Sequence, residues 1–278
     1  MKRVVVAGVD GSPRSRVAAD WAALEALRRG LPLLVAHVSP FAAGRSATTG
    51  RGSATSVPDE VAAQLTERHP GLEAKGAALA GEPLPLLLAL GAWADLMVLG
   101  LRGAGGHAGL SLGSVAGGVA AEAPSPVVLV PAGPTCTGTG EHLEKVVLGV
   151  DARDPVEAAI DFALDTAKRR GARLRVLYAC SSAPPVVGQP PPPGFGSDLE
   201  PWEEKVRRLS ELLRPWRDKY PGVRVVGDVV VPGPSHPLIR VSYSAELAVV
   251  GRHGRTLGPA MLGLLRDTGC PVAVVPPA

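Results

Sequence analysis

Residues 3–10 read RVVVAGVD, and the eight residues EKVVLGVD follow 141 positions later at 144–151. Each stretch is a short apolar run that ends in an acidic residue, which is typical of a strand buried on both faces of a parallel sheet. Three further stretches recur in the same order: 29–37 with 170–178, 94–100 with 245–251, and 125–131 with 270–276. The repeat predicts one domain fold that is present twice in the chain.

Short apolar runs alternate with helical stretches in both copies. The predicted strands of the first copy lie near 3–9, 33–38, 73–79, 95–100 and 127–131, and its predicted helices lie near 13–29, 58–68, 82–93 and 114–122. The predicted strands of the second copy lie near 145–150, 173–179, 223–230, 246–251 and 271–275. This alternation predicts an α/β protein with two tandem Rossmann-like, doubly wound domains, each with a five-stranded parallel-type sheet flanked by about four helices.

The copies meet in a segment rich in Gly, Pro and Thr. This segment predicts a first domain over 1–132, a linker over 133–143 and a second domain over 144–278. Inside the first domain, Ser12 followed by Pro13 is typical of a helix start, and Gly30 is typical of a helix end.

Composition excludes several classes of protein. Of the 278 residues, 46% are hydrophobic and 20% are charged, which is ordinary for a folded protein, and a net charge of +3 gives no argument for a nucleic-acid partner. The three cysteines form no CxxC pair, which suits a reducing compartment better than a disulfide framework. No apolar run approaches the length of a membrane span or of a signal-peptide core. We therefore expect a cytoplasmic protein.

A glycine-rich connection follows the fourth predicted strand. Gly100-Leu101-Arg102-Gly103 is separated by nine residues from Gly113-Ser114, which opens a helix. Backbone N–H groups, a hydroxyl and the positive end of a helix dipole together favour phosphate binding. In a parallel sheet Asp10 and Val38 end neighbouring strands, where a carboxylate and a backbone could contact ribose or adenine. Two simpler interpretations remain open. The glycines of 100–113 could be turn residues between a strand and a helix, and Asp10 could cap the helix that follows it.

At these residues the chain resembles the universal stress protein family in its tandem-domain form. The resemblance rests on GVDGS at 8–12, His37-Val38, the ADL stretch at 94–96, the PVVLV stretch at 126–130, and the ATP motif G-x2-G-x9-G-[ST] at 100–114. It implies that ATP, often accompanied by a divalent metal such as Mg²⁺, binds at Val9, Asp10, Val38, Gly100, Arg102, Gly103, Gly113, Ser114 and Val115.

The second copy departs from this motif. Only three residues separate Gly251-Arg252-His253-Gly254 from Gly258-Pro259, where the motif requires nine. Pro259 stands where Ser114 stands in the first copy, so a hydroxyl and a backbone donor are both missing. Asp151 is retained. We expect the first domain to bind ATP and the second to bind it weakly or not at all.

Two functions fit these residues. The first is a stress-response regulatory protein that acts through nucleotide-dependent conformation and contacts with an unknown regulatory protein. The alternative is a protein-interaction module of the same fold in which nucleotide binding is vestigial.

We expect no enzyme beyond slow ATP hydrolysis, because no general base is evident. His37 is interpreted as a packed residue. A Ser114–His107–Asp10 triad lacks the GxSxG elbow. The resemblance also implies edge-strand pairing through 127–131 and 272–276, as an intrachain pseudo-dimer and as a possible homodimer. We expect no nucleic-acid or membrane partner.

Overall fold

The computed structural model describes residues 3–39, 56–103, 112–132, 145–179, 201–230 and 237–278. The predicted linker over 133–143 lies outside the described residues. The chain divides into two compact units, of which one holds the strands before this gap and the other the strands after it. We call them the first and the second domain.

The first domain is an α/β domain whose five strands are all parallel. Its strands are β1 (Val4–Val9), β2 (Leu33–Ser39), β3 (Ala74–Ala80), β4 (Ala94–Gly100) and β5 (Val127–Val130), and its helices are α1 (Pro13–Arg29), α2 (Val57–Arg68), α3 (Pro83–Gly91) and α4 (Ser114–Glu122). Within the domain the strand order is β3-β2-β1-β4-β5. These bounds confirm the predicted elements to within two residues.

The second domain repeats this topology, again with parallel pairs. Its strands are β6 (Lys145–Val150), β7 (Arg173–Ala179), β8 (Val225–Val230), β9 (Leu247–Gly251) and β10 (Val272–Val275), and its helices are α5 (Glu157–Arg170), α6 (Trp202–Lys219), α7 (Pro237–Ser242) and α8 (Pro259–Asp267). The order β8-β7-β6-β9-β10 matches the first domain strand for strand. The predicted α/β fold, doubly wound and duplicated, is confirmed.

Helix α1 begins and ends as its sequence predicts. The Ser12 hydroxyl accepts a hydrogen bond from the Ser15 N–H at 3.2 Å, and Pro13 occupies the first turn, where a missing N–H costs nothing. Gly30 closes the helix with a φ of 63°. The face that packs on the sheet consists of alanines with no exposed surface: Ala18, Ala19, Ala22, Ala23 and Ala26. These small side chains let the helix lie close to the strands, which brings its N-terminus to the end of β1.

A half-buried ion pair at the opposite end of α1 is repeated in both domains. Arg29 donates to Asp95 at 3.1 Å in the first domain, and Arg170 donates to Glu246 at the same distance in the second. In the first domain Arg29 also donates to Glu25 at 2.9 Å, and the Glu25 side chain is only 1% exposed. Each pair connects the C-terminal end of the helix to the start of the fourth strand of its domain. We call this contact the Arg–acid joint, and both domains have it.

Strand order reverses between β1 and β4 in the first domain, because the chain winds to β3 on one side and to β5 on the other. The connections leaving β1 and β4 therefore diverge to opposite faces of the sheet and leave a crevice at the carboxyl ends of the two strands. Ligands of open parallel sheets bind in crevices of this kind.

Candidate functional site

A cavity of about 490 Å³ occupies this crevice in the first domain. Its volume lies within the range of small-molecule pockets. All nine residues that the resemblance assigned to nucleotide binding line it: Val9, Asp10, Val38, Gly100, Arg102, Gly103, Gly113, Ser114 and Val115. They come from three connections that are far apart in sequence, and the fold brings all of them to one place.

The turn after β1 holds Asp10 in a defined orientation. Asp10 Oδ1 accepts a hydrogen bond from the Ser12 N–H at 3.0 Å, and Gly11 between them has a φ of 83°. The Asp10 N–H donates to Ser15 Oγ at 3.3 Å, and that hydroxyl donates to the Ser12 carbonyl at 2.9 Å. The side chain that caps α1 is therefore Ser12, whereas Asp10 shapes the turn.

The glycine-rich connection closes against this turn. A Cβ built on Gly103 would overlap Asp10 Oδ2, so a larger residue at this position would have to displace the Asp10 carboxylate. Further along, the Gly113 N–H donates to the Leu101 carbonyl at 2.8 Å, which fixes the start of α4 beside residues 101–103. Among the described residues, Gly103 before the gap at 104–111 contacts the turn after β1, and Gly113 after the gap bonds to Leu101. The spacing of the motif therefore matches two specific contacts.

The N-terminus of α4 offers hydrogen-bond donors to the cavity. The first bond within the helix runs from the Gly117 N–H to the Gly113 carbonyl at 2.8 Å. The N–H groups of Ser114, Val115 and Ala116 precede it, and all three residues line the cavity. Together with the helix dipole and the exposed Ser114 side chain, they form a site suited to an anion.

An apolar wall completes the cavity, and the sequence did not single it out. It comprises Ala36 on β2, Leu99 on β4, and Pro83 and Leu87 on α3, and further lining residues outside the predicted set are Gly8, Ser15, Leu112 and Ala116. Period-two alternation places positions 36 and 38 on one face of β2, and positions 83 and 87 lie one turn apart on α3. These periodicities could have identified the wall once the cavity was located on that face.

Histidine does not contribute to the lining of this cavity among the described residues. His37 instead bonds through Nδ1 to the Val9 carbonyl at 2.8 Å, which confirms the prediction that it is a packed, hydrogen-bonded residue. His107, the third member of the disfavoured Ser-His-Asp alternative, lies outside the described residues. Asp10 is the cavity's single acidic residue among those described.

At the carboxyl ends of β6 and β9, the second domain keeps the turn after its first strand. It does not keep the close packing of the glycine-rich connection. Asp151 Oδ1 accepts a hydrogen bond from the Arg153 N–H at 2.9 Å, as Asp10 does from Ser12. In contrast, among the described residues a Cβ built on Gly254 or on Gly258 would meet no atom within 4 Å. The shortened connection therefore leaves both glycines away from the segments that their counterparts touch in the first domain.

The residues around these strand ends of the second domain also differ in chemistry. Arg252, 5% exposed, replaces the buried Leu101 and donates to the Gly254 carbonyl. His253 replaces Arg102, and its Nδ1 lies 3.5 Å from an Asp154 carboxylate oxygen. Helix α8 begins at Pro259, which has no N–H to offer.

Comparison with known proteins agrees with the fold and the repeat. The family model described as "Universal stress protein family" matches twice, over residues 1–131 and 142–276. The chain belongs to the universal stress protein family. Universal stress protein Rv1996 of Mycobacterium tuberculosis is 32% identical over 284 residues, which cover 92% of this chain and 88% of that protein. Universal stress protein Rv2005c of the same organism is 31% identical over 286 residues, which cover 98% and 95%.

A solved universal stress protein from Archaeoglobus fulgidus superposes with a TM-score of 0.65 at 15% identity and covers 99% of this chain and 96% of its own. At that identity the likeness concerns the fold alone. In the chain described here, no helix among the described residues is both long and apolar enough to cross a membrane.

Proposed function

We propose that the first domain binds ATP and that the second binds it weakly or not at all. The observation that supports this most is the convergence of nine motif residues from three connections on one cavity of about 490 Å³. The protein would then act in the stress response through nucleotide-dependent conformation and contacts with a regulatory protein. From its cysteine usage we also propose the cytoplasm as its site of action.

Each group around the cavity suits one part of the nucleotide. The N–H groups of Ser114 and Val115, the Ser114 hydroxyl and the backbone at Gly100 and Gly103 would bind the phosphates. Asp10 would accept hydrogen bonds from the ribose hydroxyls. The backbone at Val9 and Val38 would contact the adenine edge, with the adenine ring against the apolar wall, and Arg102 would add positive charge near the phosphates.

The cavity is compatible with Mg²⁺ that enters together with the phosphates. Magnesium in nucleotide sites commonly keeps several waters and is held in part by phosphate oxygens, so it would enter on the phosphates while Asp10 serves the ribose. Among the described residues no cluster of three or more His, Cys, Asp or Glu side chains could hold a metal without the nucleotide. The metal would therefore depend on bound ATP.

We propose a binding protein rather than an enzyme, with at most slow hydrolysis. The polar side chains of the described lining are Asp10, Ser15, Arg102 and Ser114, and the Asp10 carboxylate already accepts the Ser12 N–H. A general base has to reach the attacking water, and among the described lining residues Asp10 is the one carboxylate, already engaged with the Ser12 N–H. Edge-strand pairing through 127–131 and 272–276, within a chain or between chains, stays a prediction.

The decisive experiment uses the full chain, purified without added nucleotide. The protein is denatured and the released small molecules are chromatographed, and ATP is then titrated into the stripped protein. We expect about one adenine nucleotide per chain. Two per chain would contradict the difference between the domains, and none in either assay would leave the alternative, an interaction module with an unused motif.

A further inference from the structure

Besides the difference in loop length, the two domains differ in the residue at one position that lies at the centre of the site, which is Ser15 in the first domain. Ser15 lies in the first turn of α1, is 4% exposed, and lines the cavity together with Gly100. The repeat offset of 141 places Val156 at the same point of the second domain. Helix α5 starts only at Glu157, so Val156 is its N-cap residue, with extended backbone angles of −81° and 96°.

The Val156 side chain packs directly on Gly251, the counterpart of Gly100. A Cβ built on Gly251 would lie 2.5 Å from Val156 Cβ and 2.6 Å from its Cγ2. At Gly100 the nearest atoms are the backbone oxygens of Arg102 and Arg14, at 3.2 and 3.6 Å. Two positions that line an open cavity in the first domain are therefore packed against each other in the second.

From this contact we propose that Val156 fills the second domain's own site and keeps it closed to nucleosides and nucleotides, whatever the length of the loop. The proposal rests on the proposed function for the identity of the ligand that is kept out. Loop length and Pro259 affect the phosphate end, whereas the turn at Asp151 that would face the nucleoside end is intact. Without Val156 the second domain could still admit adenosine or AMP.

Burial supports this role for a valine. Val156 is 8% exposed, and its branched side chain has few rotamers through which it could swing away from Gly251. Serine at this position, as in the first domain, would remove two methyl groups from the contact. Threonine would keep the branched shape and is therefore the matched control.

The test compares four full-length chains. Three carry the sequence of residues 104–109 inserted after Gly254 together with Pro259→Ser, and they have Val156 intact, Val156→Ser or Val156→Thr. The fourth is the wild type. We expect ATP stoichiometry to rise from about one to about two only in the chain with Val156→Ser. A value of two with Val156 intact overturns the proposal, and so does a value of one in every grafted chain.

A second readout requires no nucleotide, so that failure of the proposed function remains distinguishable. In the otherwise unaltered chain, Val156→Ser should speed amide hydrogen exchange at residues 250–254 by about tenfold or more, whereas Val156→Thr, which keeps the branched shape but buries a hydroxyl, should speed it much less. Equal exchange in both variants overturns the proposal. If the wild type binds no ATP, the proposed function falls, while the exchange result still decides whether Val156 closes the site.

The first domain provides the reciprocal test. Ser15→Val should weaken ATP binding at least tenfold more than Ser15→Ala, because both lose the hydroxyl but only valine adds bulk over Gly100. Equal affinities of the two variants would show that filling this position does not close the site, which overturns the proposal.

Discussion

In the first domain, Gly103 lies against Asp10 and Gly113 bonds to Leu101, so that two connections close around one cavity. In the second domain, the glycines at the matching positions, Gly254 and Gly258, have no such neighbours. The sheets, strand orders and Arg–acid joints are nevertheless the same. The comparison teaches that the fold supplies the crevice, whereas the length of one connection decides whether a helix N-terminus joins it as an anion site.

The largest expected effect concerns the shared joint rather than the site. Arg29→Ala should lower the free energy of unfolding by about 3 kcal/mol, because it removes the hydrogen bonds to Glu25 and Asp95 while Glu25, 1% exposed, retains the longer contact to Arg28 at 3.7 Å. Arg170→Ala should cost less, about 1–3 kcal/mol, since Thr166 replaces the second acid and Glu246 is 27% exposed. Urea denaturation of both variants measures the difference. Equal losses would show that the buried Glu25 adds nothing to the joint.

Gly103→Val should have the largest effect on ligand binding. Its side chain would overlap Asp10 Oδ2, displace that carboxylate and add bulk at the cavity, so we expect ATP affinity to fall by about a hundredfold or more, equivalent to about 2.7 kcal/mol. Gly254→Val is the matched change and should leave ATP affinity unaltered, although its φ of 79° will cost some stability. Calorimetric titration of ATP measures the affinity of both variants. A loss of ATP affinity in both would contradict the proposed difference between the two domains.

Asp10→Asn separates charge from shape. An asparagine oxygen can still accept the Ser12 N–H, so the turn should persist while the carboxylate is lost. We expect ATP to bind about tenfold more weakly, about 1.4 kcal/mol, and Asp151→Asn to change nothing. An unchanged affinity in Asp10→Asn would mean that the residue serves the turn alone.

The smallest expected effect is that of one hydroxyl. Ser114→Ala should weaken ATP binding by about 1 kcal/mol, because it removes one hydrogen bond from the hydroxyl to a phosphate. Pro259→Ser, its counterpart, should gain no binding by itself, because the connection before α8 is still six residues shorter than in the first domain. Identical titration curves for the wild type and Ser114→Ala would remove that hydroxyl from the site.

The elements of both sheets were predictable because their signals are local. Val4–Val9 is a continuous apolar run, and Ser12-Pro13 and Gly30 mark the ends of α1 by their backbone chemistry. The site positions were predictable because a parallel sheet brings strand ends together and because the motif fixes its spacing. In both cases the information lies within a few residues or in a fixed topology.

Contacts between distant side chains were not predictable in the same way. The approach of Gly103 to Asp10, the wall formed by Leu87 and Leu99, and the packing of Val156 on Gly251 depend on how separate loops meet. The repeat alignment does pair Val156 with Ser15, and a change from a small polar to a branched apolar residue there was the available signal. Its meaning required the position of Gly251.

The turn at Asp151 has a consequence for surveying related sequences. It is retained, with its hydrogen bond to Arg153, in a domain where Val156 packs on Gly251. Under the proposed difference between the domains, an acidic residue after the first strand reports how the chain turns into a helix, and it is a poor marker of ligand binding. The glycine opposite it is no better a marker, because the second domain keeps it as Gly254. A survey that scores the length of the following loop together with the residue at the position of Ser15 and Val156 would separate the copies that we propose to bind from those that we propose not to bind.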